Sequence, residues 1–235
     1  MATEGGAVSI RRTVWLVRHG ERVDDVAADW ALTAPRAFDP PLTETGATQA
    51  FKTGAQLARE GITQVYSSPF LRCVQTAHHI IQGIRSARDH TTTDEPRLTI
   101  KVDTGFAEYM STANFSSPPK YLTAPELLEL LPEAPIDVDH ASLVTPTYPE
   151  SESDMRARCG LAIKSLLACR SPGDTNTVIV THGSPVSAIL QALAVVQLRP
   201  AAVPYSSLTK VVEERPGVWQ ASSPLADTTH WRGVC

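Results

Sequence analysis

The stretch Thr13-Val14-Trp15-Leu16-Val17-Arg18-His19-Gly20-Glu21-Arg22 decides how the rest of the chain is read. Thr13 to Val17 is β-branched and apolar, the profile of a buried strand. The strand gives way to a positive cluster, Arg18, His19 and Arg22, set around Gly20. In an open α/β sheet, ligands bind beyond the carboxyl ends of the strands. Glycine lets the backbone turn tightly or approach a ligand there. Two guanidinium forks beside an imidazole suit the oxygens of a phosphoryl group.

Working outward, Thr43 or Thr45 can cap a helix reaching Arg59, with Ala47, Ala50, Phe51, Gly54, Leu57 and Ala58 near one face and Gly61 as its stop. Val23 to Pro41, with three prolines, reads as a loop over the site; its Asp24, Asp25 and Asp29 are expected in solvent. Ile62 to Tyr66 is a second strand, followed by the turn Ser67-Ser68-Pro69. Arg72 then falls in the first turn of the next helix, where free amides and the dipole favour an anion. A basic side chain is unfavourable for that helix end, which points to a functional role. Leu98 to Asp103 alternates as a third strand and leads to Glu108.

Residues 110–154 are irregular and proline-rich, with a capping box at Thr123 and Glu126 opening a short helix to Leu131. A long loop of this kind is usually functional, and we read it as a lid and substrate-selecting wall. Ser151 or Ser153 caps an amphipathic helix carrying Met155, Cys159, Ala162, Ile163, Leu166 and Leu167, ended by Pro172-Gly173. Thr177 to Val180 is another buried strand with His182-Gly183 at its end, and a helix from Ser184 to Leu198 follows. Two strand-His-Gly turns on one edge are hard to attribute to packing. Leu208 to Glu213 and Val218 to Gln220 are strands around Arg215-Pro216-Gly217, and the tail after Ser222 carries no functional signal.

Composition narrows the classes. Apolar residues make up 42% and charged residues 20% of 235, enough for a sizeable core in one domain, with residues 1–11 expected to be mobile. A net charge of -4 argues against recruitment by nucleic acid or an anionic membrane, so phosphate affinity must be local. Cys73, Cys159, Cys169 and Cys235 show no zinc spacing. No apolar signal segment opens the sequence, and the cysteines are expected to be reduced in a cytoplasmic protein.

Strand-Arg-His-Gly resembles the signature of the histidine phosphatase superfamily, the phosphoglycerate-mutase-like fold. Leu42-Thr43-Glu44-Thr45-Gly46-Ala47-Thr48-Gln49-Ala50, Ser67 to Ala77 and Val180-Thr181-His182-Gly183 follow in the order that family shows. Arg18 to Asp24 and Leu71 to His78 are similar, more narrowly, to the phosphatase domain of the suppressor-of-T-cell-receptor-signalling (TULA) proteins and to ecdysteroid-phosphate phosphatases. The resemblance implies an α/β fold of three layers, α/β/α, with a mostly parallel central sheet. It implies that His19 attacks phosphorus, that Arg18, Arg72 and His182 hold the phosphoryl oxygens, that Arg22 adds charge at the pocket edge, and that Glu108 is the proton donor. No cofactor or metal is expected, since side chains already supply the positive charge. A homodimer is left open, because some relatives dimerise. The length leaves no room for the TULA proteins' ubiquitin-binding and SH3 modules, so only phosphatase chemistry is carried over.

Two alternatives remain: a phosphoglycerate-type mutase of the same fold and, from another class, a weakly active phosphate-binding regulatory module. A mutase lid should be basic, yet Tyr109 to Met155 holds Glu126, Glu129, Glu133, Asp137, Asp139, Glu150, Glu152 and Asp154 against Lys120 alone. The binding module is disfavoured because every catalytic position is filled. A metal enzyme lacks helical H-x-x-x-H spacing. Hydrolysis of a phosphotyrosine-like, steroid-phosphate or other organic monoester fits best.

Overall fold

The computed structural model describes residues 12–88, 97–169, 176–193, 202–222 and 224–232. The expected mobile N-terminus, the Pro172-Gly173 stop, the helix end near Leu198 and Cys235 lie outside these residues.

Strand β1 (Thr13–Arg18) is followed by two one-turn helices, α1 (Val23–Val26) and α2 (Trp30–Thr33), where the sequence suggested only loop. Helix α3 (Glu44–Leu57) is capped by Thr43, whose hydroxyl accepts from the Gly46 amide. Strand β2 (Gln64–Ser67), helix α4 (Leu71–Ala87), strand β3 (Ile100–Val102) and a 3-10 turn at Thr104–Phe106 come next. Helix α5 (Ala124–Leu130) has the expected capping box, and α6 (Glu152–Ala168) is capped by Ser151 paired with Asp154. Strand β4 (Asn176–Thr181), helix α7 (Gly183–Ala192), strands β5 (Leu208–Arg215) and β6 (Val218–Ala221) and helix α8 (Thr229–Arg232) complete the described chain.

The six strands form one sheet in the order β3-β2-β4-β1-β5-β6. β3, β2, β4 and β1 are parallel neighbours, while β5 runs antiparallel to β1 and to β6. The period-two pattern of β1 explains the layers. Trp15 and Val17 face a core built with α3 and α4, including Leu57, Ile80 and Ile84. Val14 and Leu16 face a second core built with α6 and α7, including Ile163 and Ile189. Among the described residues no helix is long and apolar enough to cross a membrane.

Helices α3 and α4 approach at backbone distance because Gly54 and Gly83 face each other's helices. A Cβ on Gly83 would lie 2.0 Å from the Phe51 carbonyl oxygen, and one on Gly54 would lie 2.1 Å from that of Ile80. Backbone cannot swing aside as a side chain can. Gly83→Ala is therefore expected to lower stability in urea denaturation. Overpacking costs about 1–3 kcal/mol or more, set against the ~1 kcal/mol of helix propensity that alanine regains. An unchanged midpoint would show that the two helices can part without loss.

Candidate active site

Four adjacent parallel strands end on one edge of the sheet and deliver the polar groups there. The β1–β4 ladder pairs Arg18 with Thr181, so the next residue of each strand, His19 and His182, emerge side by side. Their ring centroids are 5.2 Å apart. β2 pairs Ser67 with Val180 and leads through Ser68 into α4, which carries Arg72. β3 leads through the 3-10 turn to Glu108. All six residues singled out in the sequence gather at this edge.

His19 is buried, and its Nδ1 lies 2.8 Å from the Gly20 carbonyl oxygen. A carbonyl only accepts, so Nδ1 carries the proton and Nε2 keeps its lone pair. Burial first, then the charges of Arg72 and Arg18, hold the imidazole's pKa well below its ordinary value. His19 is thus a neutral base at neutral pH. The loop that holds it is locked to α3 and α4. The Gly20 amide donates to Thr76 Oγ1, the Glu21 amide donates to Gln49 Oε1, and Thr43 Oγ1 donates to Glu21 Oε1. A Cβ on Gly46 would meet the Glu21 carbonyl oxygen at 2.3 Å, so the α3 terminus tolerates only glycine at that contact. These bonds give the Leu42–Ala50 motif its physical meaning.

Arg72 is 2% exposed, with its guanidinium over the Phe70 ring at 4.5 Å. Its Nη2 donates toward His182 Nδ1 at 3.3 Å, while Nη1 lies 3.6 Å from Asp39 Oδ1. Nε and Nη1 of Arg72 and Nε of Arg18 and Arg22 are buried without a hydrogen-bond partner among the described residues. Buried donors in that state are costly and are suited to an anion that accepts from them. Arg18 donates Nη1–H to the Val203 carbonyl at 2.6 Å and lies 4.0 Å over the ring of Tyr205. Arg22 pairs with Asp24 at 3.1 Å and Asp25 at 3.3 Å. Those two carboxylates, expected in solvent, therefore form the rim of the site.

His182 is fully buried, with Nε2 2.7 Å from Ser68 Oγ. Burial and then Arg72 keep it neutral. Arg72 can only donate, which makes Nδ1 the lone pair and Nε2–H the donor to Ser68. Glu108 Oε2 also faces Nδ1 at 3.3 Å, a favourable contact when that oxygen carries a proton. Burial raises the Glu108 pKa in the same sense, opposed by Arg72 and by the Tyr109 amide that donates to Oε1 at 2.9 Å.

Several participants were not found in the sequence. Asp39, buried before Pro40-Pro41, accepts from the Leu71 amide at 2.8 Å, pairs with Arg36 and steadies Arg72. Burial raises its pKa, against the pull of Arg72 and Arg36. No periodicity marks such a residue. Tyr205 donates its hydroxyl to Asp25 at 2.5 Å and lies 5.5 Å from the His19 ring. Ser206 follows with φ 49°, a left-handed conformation that serine holds only under constraint. Its amide is 3.0 Å from the Arg18 oxygen and 3.2 Å from that of His19. Glu150, read as part of the acidic lid, is instead 5% exposed and paired with Arg158 inside the protein. The segment after Glu108 packs Met110, Phe115, Tyr121 and Tyr148 around Phe70 beside the site.

The chain's likeness to known proteins runs the same way. The profile of the histidine phosphatase superfamily (branch 1) matches residues 14–223. Mouse ubiquitin-associated and SH3 domain-containing protein A is 30% identical over 213 residues, 78% of this chain and 33% of that protein. Ecdysteroid-phosphate phosphatase of Drosophila melanogaster is 28% identical over 252 residues, 91% of this chain and 32% of its own. The chain thus spans about a third of the length of these curated relatives. In structure it is similar to the Bombyx mori ecdysone phosphate phosphatase solved with tungstate, with a TM-score of 0.72 at 23% identity, covering 91% of this chain and 92% of that one. Phosphoglycerate mutase of Bacillus anthracis shares the fold at a TM-score of 0.63 and 19% identity, covering 94% and 95% of the two chains.

Proposed function

Because the chain belongs to the histidine phosphatase superfamily (branch 1), we propose that it hydrolyses phosphate monoesters through a phosphohistidine on His19. One observation carries the reading: a neutral imidazole with its Nε2 lone pair free of the proton, beside arginines whose buried N–H groups include several with no hydrogen-bond partner among the described residues.

In the first step Nε2 attacks phosphorus in line with the leaving oxygen, forming the N–P bond as the P–O bond breaks. The imidazole becomes cationic, and its Nδ1–H bond to the Gly20 carbonyl strengthens. Arg72 and Arg18 bind the equatorial oxygens, where charge spreads in the transition state. His182 joins them as a donor through the other tautomer, with Nδ1–H turned to the anion and the Ser68 hydroxyl donating to Nε2. Arg22 contributes at the rim. Protonated Glu108 gives its proton to the leaving oxygen. In the second step carboxylate Glu108 takes a proton from water, whose oxygen displaces His19 from phosphorus and restores neutral imidazole. Side chains supply the positive charge throughout, and no metal is invoked.

The rim favours substrates with little charge beyond the phosphoryl group. Asp24 and Asp25 already neutralise Arg22, so a second anionic group would meet carboxylates there. Half-buried Phe38, Tyr121 and Tyr148, packed on the buried Phe70, Met110 and Phe115, are the side chains this region offers as a wall for an apolar leaving group. A phosphomonoesterase of organic esters, with residues 110–154 as its lid, is the reading this supports, and we place it in the cytoplasm as the sequence reading does. It favours hydrolysis over phosphoglycerate mutation, whose substrate is a small polyanion.

The test is turnover of a panel of phosphate esters with and without EDTA, led by 4-nitrophenyl phosphate. Steady release of phosphate, insensitive to EDTA, is expected; binding without turnover would leave a phosphate-binding module. Arg72→Ala is expected to weaken both inorganic phosphate inhibition and kcat/KM. A charge-assisted hydrogen bond contributes roughly 1.5–3 kcal/mol, which is about 10- to 150-fold, and the loss grows in the transition state. Activity within about threefold of wild type would place Arg72 outside the phosphate contacts.

A further inference from the structure

Arg158 sits in the interior of α6, between Met155 and Ala162 on its apolar face, with its side chain 4% exposed. A buried arginine is unusual unless paired, and this one is engaged at all three nitrogens. Nη1 donates to the carbonyl oxygens of Gly105 at 3.0 Å and Ala107 at 3.1 Å. Nη2 donates to the carbonyl oxygen of Glu108 at 3.0 Å and to Glu150 Oε1 at 2.5 Å, and Nε donates to Glu150 Oε2 at 3.1 Å. Glu150 closes the arrangement from the other side. Its Oε1 accepts from the Met110 amide, and its own amide donates to the Met110 carbonyl, each at 2.9 Å.

Among the described residues, the segment so held pairs in no sheet. Beyond the 3-10 turn, residues 107–111 belong to no helix or strand. No helix or sheet ladder fixes the direction of their carbonyls. Arg158 points two of them, those of Ala107 and Glu108, at the guanidinium that also holds the Gly105 carbonyl of the turn, and Glu150 fixes Met110. A buried ion pair of this kind contributes little net stability over a well-packed apolar pair, since both charges are desolvated. What it supplies is direction. We infer that Arg158 and Glu150 are positioning residues that aim the Glu108 carboxyl at the leaving oxygen, without touching substrate themselves. The inference rests on the reading of Glu108 as the proton donor.

The experiment compares kcat/KM for ethyl phosphate and 4-nitrophenyl phosphate, with inhibition by inorganic phosphate as a third readout. Glu150→Gln keeps the size and the acceptor for Met110 while removing the charge. Arg158→Lys keeps the charge while losing the fork that reaches three carbonyls. Each is expected to lower the ethyl ester rate by about tenfold or more relative to the nitrophenyl ester, part of the full effect of general acid catalysis. Phosphate inhibition stays at the wild-type level. Placed on Glu108→Gln, Glu150→Gln should add nothing to the ratio, because the group it aims is already gone. A folded Glu150→Gln protein with the wild-type ratio overturns the inference and leaves the proposed function intact. A loss shared by both esters and by phosphate binding also overturns it, since it marks a structural role. If Glu108→Gln alone leaves the ratio unchanged, the proton-donor reading falls, and the positioning role with it.

Discussion

His19→Ala is expected to have no measurable turnover of 4-nitrophenyl phosphate, while the fold and the binding of inorganic phosphate survive. Removing the nucleophile from a covalent hydrolase costs on the order of 10⁶-fold in kcat, and an unaided phosphate monoester is among the slowest substrates to hydrolyse. Arg72, Arg18 and His182 remain to bind the anion, so the variant separates binding from chemistry. The wild-type protein quenched during turnover should carry acid-labile phosphate on His19. Two other nucleophiles lie close. Cys73 Sγ is 3.5 Å from His182 Nε2, but burial pushes its thiol up to about 12 and keeps it protonated. Ser68 Oγ faces His182, which is held in place as a donor to it. Label on either residue, or residual turnover in His19→Ala, would overturn the mechanism.

Glu108→Gln carries the second large effect, and its size depends on the substrate. Nitrophenolate departs without much help, whereas an alkoxide needs its proton as the P–O bond breaks. General acid catalysis contributes about 10²–10⁴-fold, so kcat/KM for ethyl phosphate should fall by that order relative to the nitrophenyl ester. This ratio runs through the phosphorylation step and is untouched by any slowing of dephosphorylation. A pH signature accompanies it. The proton must be on Glu108, whose pKa burial raises above its ordinary value, and off His19, whose pKa burial and the arginines lower. The preference for alkyl esters should therefore decline as pH rises through the raised Glu108 pKa. Because the His19 pKa is held below its ordinary value, turnover should persist as pH falls past the range where a free imidazole would protonate. Equal losses for both esters would make Glu108 a binding residue only.

The sheet and its charged edge were legible because strand runs and strand-end motifs are local. Thr13–Val17 and Thr177–Val180 announced buried strands with Arg18, His19 and His182 where those runs ended, and Arg72 followed the Ile62–Tyr66 run in the first turn of the next helix. Glu108 was legible only through family resemblance, since nothing local distinguishes it from a solvated glutamate. Asp39 and Arg158 were not read at all and Glu150 was read as a lid carboxylate, because their roles come from partners distant in sequence. Glu150 meets the carboxyl-bearing turn 40 residues away, through the Met110 amide, and no pattern within a window reports that. Asp24 and Asp25 keep contact with solvent as expected, but the Tyr205 hydroxyl that fixes Asp25 comes from 180 residues downstream and could not be read.

The pairing of β1 with β4 has a thermal consequence. His19 and His182 follow directly on the last paired residues of two adjacent parallel strands, so the hydrogen-bond ladder spaces them, as neighbouring strands always lie about 4.8 Å apart. Side-chain packing beneath them has little say in that distance. Mild loosening of either core, by heat or by a cavity, leaves the two rings in step as long as the strands stay zipped. Heat inactivation should then arrive as a single break coincident with loss of the sheet, rather than as a slow detuning of the site at lower temperature.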